Sequence, residues 1–352
     1  MNLFSPIRFR DIELKNRIVV SPMCEYSAKD GHPTNWHLVH LGSRAVGGAS
    51  LVITEATGVS AVGRISPSDA GIYLDSHVEA WRPLVQFIRE QGAAAGIQLA
   101  HAGRKGSTYA PWLGDGAIAA KDGGWEPLGP TAEPFNSAYP TPKALTAMEI
   151  DQVVADFVAA AQRALQAGFQ VLEIHAAHGY LLHEFYSPLS NQRTDDYGGS
   201  FQNRIRLLLR VTKSVREIWP EQQPIFVRIS ASDWKEGGWD IAQSVGLCST
   251  LKELGVDLID VSSGGVVPGV RIPVGPGYQV EFAAKIRREA GIATGAVGMI
   301  SDPAQAETII ATGQADIVLL ARELLRDPYW PRRAAKELGA KIKPPVQYER
   351  AW

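Results

Sequence analysis

The sequence predicts an α/β protein, a (β/α)8 TIM barrel spanning residues 1–352 as a single domain. Three observations lead there. Short apolar runs alternate with longer amphipathic segments eight times along the chain. The short runs are nearly continuous in apolar residues, as parallel strands buried on both faces require. The length of 352 residues is ordinary for such a barrel, and a composition 45% hydrophobic and 20% charged is enough to bury its core.

In chain order, residues 7–14 alternate weakly (Ile7, Phe9, Ile12, Leu14) and suit a small hairpin closing one end of the barrel. The expected strands are 17–22, 50–56, 95–100, 170–175, 224–230, 257–262, 293–297 and 316–320. Between them lie helical patterns at 36–46, 77–91, 146–167, 201–219, 241–254, 279–290 and 303–311, with a last one at 329–338. Thr146 followed by Glu149 reads as a capping box. Gly92, Gly168, Gly255 and Gly313 stand where helices should stop. Two connections are too long to be mere links. Residues 102–145, after the third strand, carry Tyr109, Trp112, Trp125, Phe135 and Tyr139, and read as an active-site loop region; residues 179–200 follow the fourth strand. Residues 340–352 read as a docked C-terminal tail.

Several classes fall away. A net charge of −2 gives no electrostatic reason to expect nucleic acid or an anionic membrane as partner. Two cysteines, Cys24 and Cys248, build neither a disulfide framework nor a four-cysteine iron–sulfur site. The start, Met1 to Pro6, lacks the basic and apolar regions of a signal peptide, and no apolar run approaches ~20 residues. The expectation is a cytoplasmic enzyme. No G-x-G-x-x-G opens the first βα unit, so a tightly held Rossmann dinucleotide is not expected.

The chemistry of a β/α barrel sits at the carboxyl ends of its strands. The fourth strand ends in His175-Ala176-Ala177-His178-Gly179-Tyr180. Two imidazoles can donate N–H bonds to one developing oxyanion, and a phenol can supply a proton. A His-x-x-His pair also suits zinc, but only Glu173 and Glu184 lie near as further ligands, and no metal is expected. His37 and His40 fall in the first helix and read as structural. Cys24, after the first strand, is either a small buried hydrophobe or a functional thiol. Gln98, on the third strand, points inward and needs partners: another core side chain, or a flat heterocycle with carbonyl and N–H edges. Arg228, inside the fifth strand, either pairs with a carboxylate or faces an electron-rich ring. Gly295, Gly298 and Arg322, at the ends of strands seven and eight, form the corner where barrels frequently bind phosphate. Other readings that remain at this point are a metal-dependent barrel hydrolase and a non-catalytic barrel binding a small molecule.

These stretches, together with Leu14 to Ile18, Ser21 to Cys24, Gln98 to Lys105, Ser187 to Asn191, Arg193 to Asp195, Tyr197 to Ser200, Asn203-Arg204 and Arg322 to Pro328, run the length of the chain. In them the sequence resembles the Old Yellow Enzyme family of FMN-dependent ene-reductases, in its thermophilic-like branch with xenobiotic reductases. The resemblance implies FMN, bound non-covalently, with NADPH as hydride donor. It implies that Ser21, Pro22, Met23, Cys24, Ala56, Gln98 and Arg228 contact the flavin ring, and that Gly298, Ala321 and Arg322 hold its phosphate end. His175 and His178 would bind the substrate's activating oxygen and Tyr180 would be the proton donor. Tyr26 and Lys105 would also contact substrate. In that branch a C-terminal arginine reaches a neighbouring subunit's site, which transfers to Arg350 and implies a homo-oligomer; docking of the tail on its own barrel is the alternative.

Overall fold

The structure is a computed structural model describing residues 1–351. An antiparallel hairpin, β1 (Ile7–Phe9) and β2 (Ile12–Leu14), leads into β3 (Ile18–Val20), α1 (Asn35–Val46), β4 (Leu51–Gly58), α2 (Asp75–Glu90) and β5 (Ala94–Ala100). The long segment after β5 holds a two-stranded pair, β6 (Leu128–Gly129) and β7 (Lys143–Ala144). Then follow α3 (Ala147–Ala167), β8 (Val171–Ala176), α4 (Leu181–Tyr186), α5 (Phe201–Ile218), β9 (Ile225–Ser230), α6 (Ile241–Glu253) and β10 (Leu258–Ser262). The chain finishes with α7 (Val280–Ala290), β11 (Ala293–Ala296), α8 (Pro303–Ala311), β12 (Ile317–Leu320), α9 (Arg322–Arg326) and α10 (Trp330–Leu338). The strands β3, β4, β5, β8, β9, β10, β11 and β12 pair in parallel, each with the next, and close into a barrel. The expected (β/α)8 barrel is therefore the fold. The strand boundaries agree with expectation to within two residues.

The helix signals also act as expected. Thr146 and Glu149 form a reciprocal capping box at the start of α3. Gly92, Gly168, Gly255 and Gly313 all adopt left-handed backbone just past helix ends. No helix among the described residues is long and apolar enough to cross a membrane.

The barrel interior changes character along its axis, and this positions the site. At the amino-terminal end the inward residues are apolar: Val19, Leu51, Ala94, Val171, Phe226, Leu258 and Ile317 pack with Phe9 and Leu14 of the hairpin, which plugs that end. Phe9 meets Phe226 edge to face, with centroids 5.2 Å apart. Two and four residues further along the same strands, the inward positions become Glu173 and His175 on β8, Arg228 on β9 and Asp260 on β10. Register makes Ala56, Gln98 and Glu173 neighbours across β4, β5 and β8, and His175, Arg228 and Asp260 neighbours across β8, β9 and β10. A dry plug below and a polar floor above leave the carboxyl ends of the strands to carry chemistry.

One expectation is corrected here. Gly295 does not open room for a phosphate. It lies within β11, and an added Cβ would stand 2.4 Å from Leu319 Cδ1, so its missing side chain makes space for a core leucine.

Candidate active site

The carboxyl end of β8 brings three rings together. His175 meets His178 with centroids 5.1 Å apart, and meets Tyr180 at the same 5.1 Å, both edge to face. His178 Nε2 lies 2.7 Å from Ser262 Oγ, which leaves Nδ1 as the ring nitrogen for another partner. His175 Nδ1 is enclosed and has no protein partner. Burial, and after it the positive charge of Arg228, holds both imidazoles well below their usual range, so both are neutral near pH 7. Burial also raises the Tyr180 phenol well above its usual range, which keeps its proton in place. Two neutral N–H-bearing rings beside a protonated phenol can hold an oxyanion and deliver one proton.

On the polar floor, Gln98 and Arg228 both have protein neighbours. Gln98 does take a core partner, donating Nε2–H to Glu173 Oε1 at 2.8 Å. Arg228 does meet a carboxylate, Asp260, with Nε 2.9 Å from Oδ2, yet without hydrogen-bond alignment. Burial raises both carboxyls; Asp260 adds to the rise at Glu173, and Arg228 opposes the rise at Asp260. Ser21 Oγ, at the end of β3, is also enclosed and unpaired. An unpaired buried polar group costs about 1–3 kcal/mol. Unpaired atoms on Ser21 and His175, beside an Arg228 Nε that faces Asp260 without hydrogen-bond alignment, point to a bound molecule at this end of the barrel that completes their bonding.

Cys24 and Tyr26 follow β3. The Cys24 thiol is pushed well up by burial and then by the nearby carboxyls of Asp69 and Glu55, so it stands as a neutral thiol. His37, read as structural, accepts the Thr34 N–H at 2.9 Å and pairs with Glu55 at 2.8 Å; His40 lies 3.3 Å from Glu25. The Tyr26 ring stands edge to face with Trp112 of the long loop, centroids 5.8 Å apart. From the same loop Phe135 covers the Lys105 ammonium at 4.3 Å, and Lys105 donates to the carbonyl of His178 at 2.8 Å. Burial lowers Lys105 to about 8, with Glu184 opposing the fall. Trp112 and Phe135 of the loop region 102–145 thus pack against Tyr26 and Lys105. The segment after β8, expected only as a loop, contains α4.

At the ends of β11 and β12 a cavity of about 240 Å³ is lined by Gly298, Ala321, Arg322, Ser262 and Tyr278. Gly298 is left-handed at φ 121°, and a Cβ there would stand 2.8 Å from Gln279 Nε2. Ser262, Tyr278 and Gln279 were missed by sequence reasoning. The signal was present as Ser262-Ser263-Gly264-Gly265 at a strand's carboxyl end. The unpaired donors of the floor and this glycine-lined, arginine-flanked cavity fit the ring and the phosphate of FMN respectively. Among the described residues no group of three or more His, Cys, Asp or Glu side chains is placed to hold a metal ion. Arg350 is exposed on a terminal turn, Val346–Ala351, where Tyr348 lies 6.4 Å from the Tyr329 ring; Trp352, the last residue of the expected docked tail, lies outside the described residues.

The sequence pattern of the NADH:flavin oxidoreductase / NADH oxidase family matches residues 2–341. The chain is 54% identical to an NADPH dehydrogenase of Geobacillus thermodenitrificans over 352 residues, covering 99% of this chain and 98% of that one. It is 50% identical to an NADPH dehydrogenase of Bacillus subtilis, covering 99% of both. Among solved structures it is similar to morphinone reductase in complex with tetrahydroNAD, at 27% identity and a TM-score of 0.80, covering 99% of this chain and 94% of that chain. It is also similar to a 2-naphthoyl-CoA reductase, at 26% identity and a TM-score of 0.87, covering 96% of this chain and 52% of that longer one.

Proposed function

The chain belongs to the NADH:flavin oxidoreductase / NADH oxidase family as an FMN-dependent NADPH oxidoreductase of the Old Yellow Enzyme type, and from that premise we propose that it reduces the activated C=C bond of α,β-unsaturated carbonyl compounds in the cytoplasm. The observation that carries the reading is the cluster of two neutral imidazoles and one protonated phenol at the end of β8. FMN, when bound, supplies the relay that accepts a hydride from NADPH and passes it to the alkene's β-carbon, in two half-reactions of a ping-pong cycle.

The chain's own residues do the rest. His175 and His178 donate N–H bonds to the carbonyl oxygen as negative charge gathers on it, each donor being worth a few kcal/mol. Tyr180 gives its proton to the α-carbon, which a phenol held above its usual pKa is charged to do at neutral pH. Ser21, Pro22, Met23, Cys24, Ala56, Gln98 and Arg228 surround the ring of FMN, and Gly298, Ala321 and Arg322 its phosphate. Tyr26 and Lys105 line the substrate's place. Nitro compounds, whose oxygens offer the same acceptor, are a second substrate class. Arg350, exposed at the terminus, reaches the site of a neighbouring subunit in a homo-oligomer. Sedimentation of the wild type and of Arg350→Ala, with the substrate KM of each, checks that last assignment.

The test of the main reading is the visible spectrum of the purified protein, before and after anaerobic NADPH and then cyclohexenone. A two-banded flavin spectrum that bleaches with NADPH and returns with the enone is expected. Bleaching without return removes the alkene from the reading.

A further inference from the structure

The turn that joins β8 to α4 carries two left-handed residues in succession, His178 at φ 61° and Gly179 at φ 71°. Glycine adopts that conformation freely, but a side-chain-bearing residue loses roughly 1–2 kcal/mol there. Such a turn persists only where contacts over-determine it. Three side chains hold its backbone. Ser230 Oγ accepts the His178 N–H at 2.9 Å, Lys105 donates to the His178 carbonyl, and His183 Nδ1 accepts the Gly179 N–H at 2.9 Å.

The last contact sets a condition. His183 can accept only if Nδ1 carries no proton, so its proton must sit on Nε2. Asp233 enforces this. Its Oδ1 lies 2.8 Å from His183 Nε2. Its Oδ2 accepts from Ser187 Oγ at 2.6 Å and from the Trp239 N–H at 2.7 Å. Three donors converge on one enclosed carboxylate, and His183 and Ser187 are as fully enclosed as Asp233. None of the three lines the oxyanion site, and the chemistry described above uses none of them.

We propose that Asp233 and His183 form a tautomer lock: Asp233 keeps the proton on His183 Nε2, the bare Nδ1 pins the Gly179 amide, and the pinned turn aims the His178 ring and the Tyr180 hydroxyl at the substrate. Both are positioning residues, since neither reaches the reacting atoms. The inference rests on the roles given above to His178 and Tyr180.

The test uses the FMN-loaded enzyme and three variants. In H183N the amide oxygen takes the place of Nδ1 and still accepts from Gly179, while the partner of Asp233 is lost. In H183Q the amide nitrogen takes the place of Nε2 and still meets Asp233, while the acceptor for Gly179 is lost. The lock orders them H183N above H183Q in affinity for a phenol and in the rate of alkene reduction, with H183Q down about tenfold or more. A purely structural role for the buried pair orders them the other way, because H183N strands the carboxylate. D233N, whose amide can donate to His183 Nε2, should move the ring proton to Nδ1, read directly as a change in the 15N shifts of His183, with the same loss of phenol affinity. The proposal is overturned if H183Q matches the wild type, if H183N is the poorer of the two, or if the His183 tautomer is unchanged in D233N. Tyr180→Phe is measured alongside. If it leaves alkene reduction at the wild-type rate, the donor role of Tyr180 has failed, while the tautomer shift and phenol affinity still decide the lock.

Discussion

The His175 and Tyr180 rings stand edge to face, centroids 5.1 Å apart and planes at 69°, close enough for the proposed oxygen-binding imidazole and the proposed proton-donating phenol to serve two atoms of one small substrate. Tyr180→Phe removes the proton and keeps the ring. Alkene reduction should slow about 100-fold or more, the usual worth of a placed general acid. Flavin reduction by NADPH, which needs no such proton, should keep its rate. Anaerobic rapid mixing separates the two half-reactions, and equal losses in both would sink the assignment.

Burial and then Arg228 hold the two imidazoles well below the usual histidine range, so both are neutral near pH 7. Phenol affinity in the wild type should then follow the ionisation of the phenol alone, with no inflection from histidine. Replacing both His175 and His178 by Ala should weaken phenol binding by about 100-fold, two donors at 1.5 kcal/mol or so each. Absorbance titration across pH checks both statements, and an inflection near pH 6.5 in the wild type would contradict the neutral pair.

Much of this was legible in the sequence, and the reason is specific. Val171-Leu172-Glu173-Ile174-His175 places an acid and a base two residues apart on the inward face of an otherwise apolar strand, and such residues have few uses other than a site. The hairpin, the eight strands and the helix stops were equally local, set by alternation, apolar runs and glycines. What was not legible depends on contacts between distant segments. Gly295 looked like a ligand-facing glycine until Leu319, 24 positions on, took its space. The partners of Gln98 and Arg228 are fixed by strand register, which no single stretch encodes. The lock of His183 on Gly179 requires Asp233, 50 residues away.

Arg322 and Arg326 both line the cavity beyond β12, and Arg322 is the one proposed to meet the phosphate. Arg322→Met keeps the length of the side chain and removes its charge. FMN affinity should fall about 10- to 100-fold, as expected for a charge-assisted contact to phosphate. Riboflavin, which has no phosphate, should bind both proteins alike. Fluorescence titration of the apoprotein with each ligand gives the comparison, and a matching loss for riboflavin would move Arg322 away from the phosphate.

His101 ties the site to stability. It is fully enclosed, its Nδ1 accepts the Gly103 N–H at 3.1 Å, and burial lowers its pKa to about 4. A histidine whose folded pKa lies below its unfolded value binds fewer protons when folded, so stability rises with pH through that interval. The contribution is complete above the unfolded value, 6.5, and is lost as pH falls towards 4. The loss is about 3 kcal/mol over the interval, at 1.36 kcal/mol for each pH unit. His101→Asn retains an acceptor for Gly103 where Nδ1 stood and cannot titrate. Urea unfolding at pH 7 and pH 5 should therefore show a smaller difference in the variant, by about 2 kcal/mol. An unchanged difference would mean that other buried groups carry the acid sensitivity of this barrel.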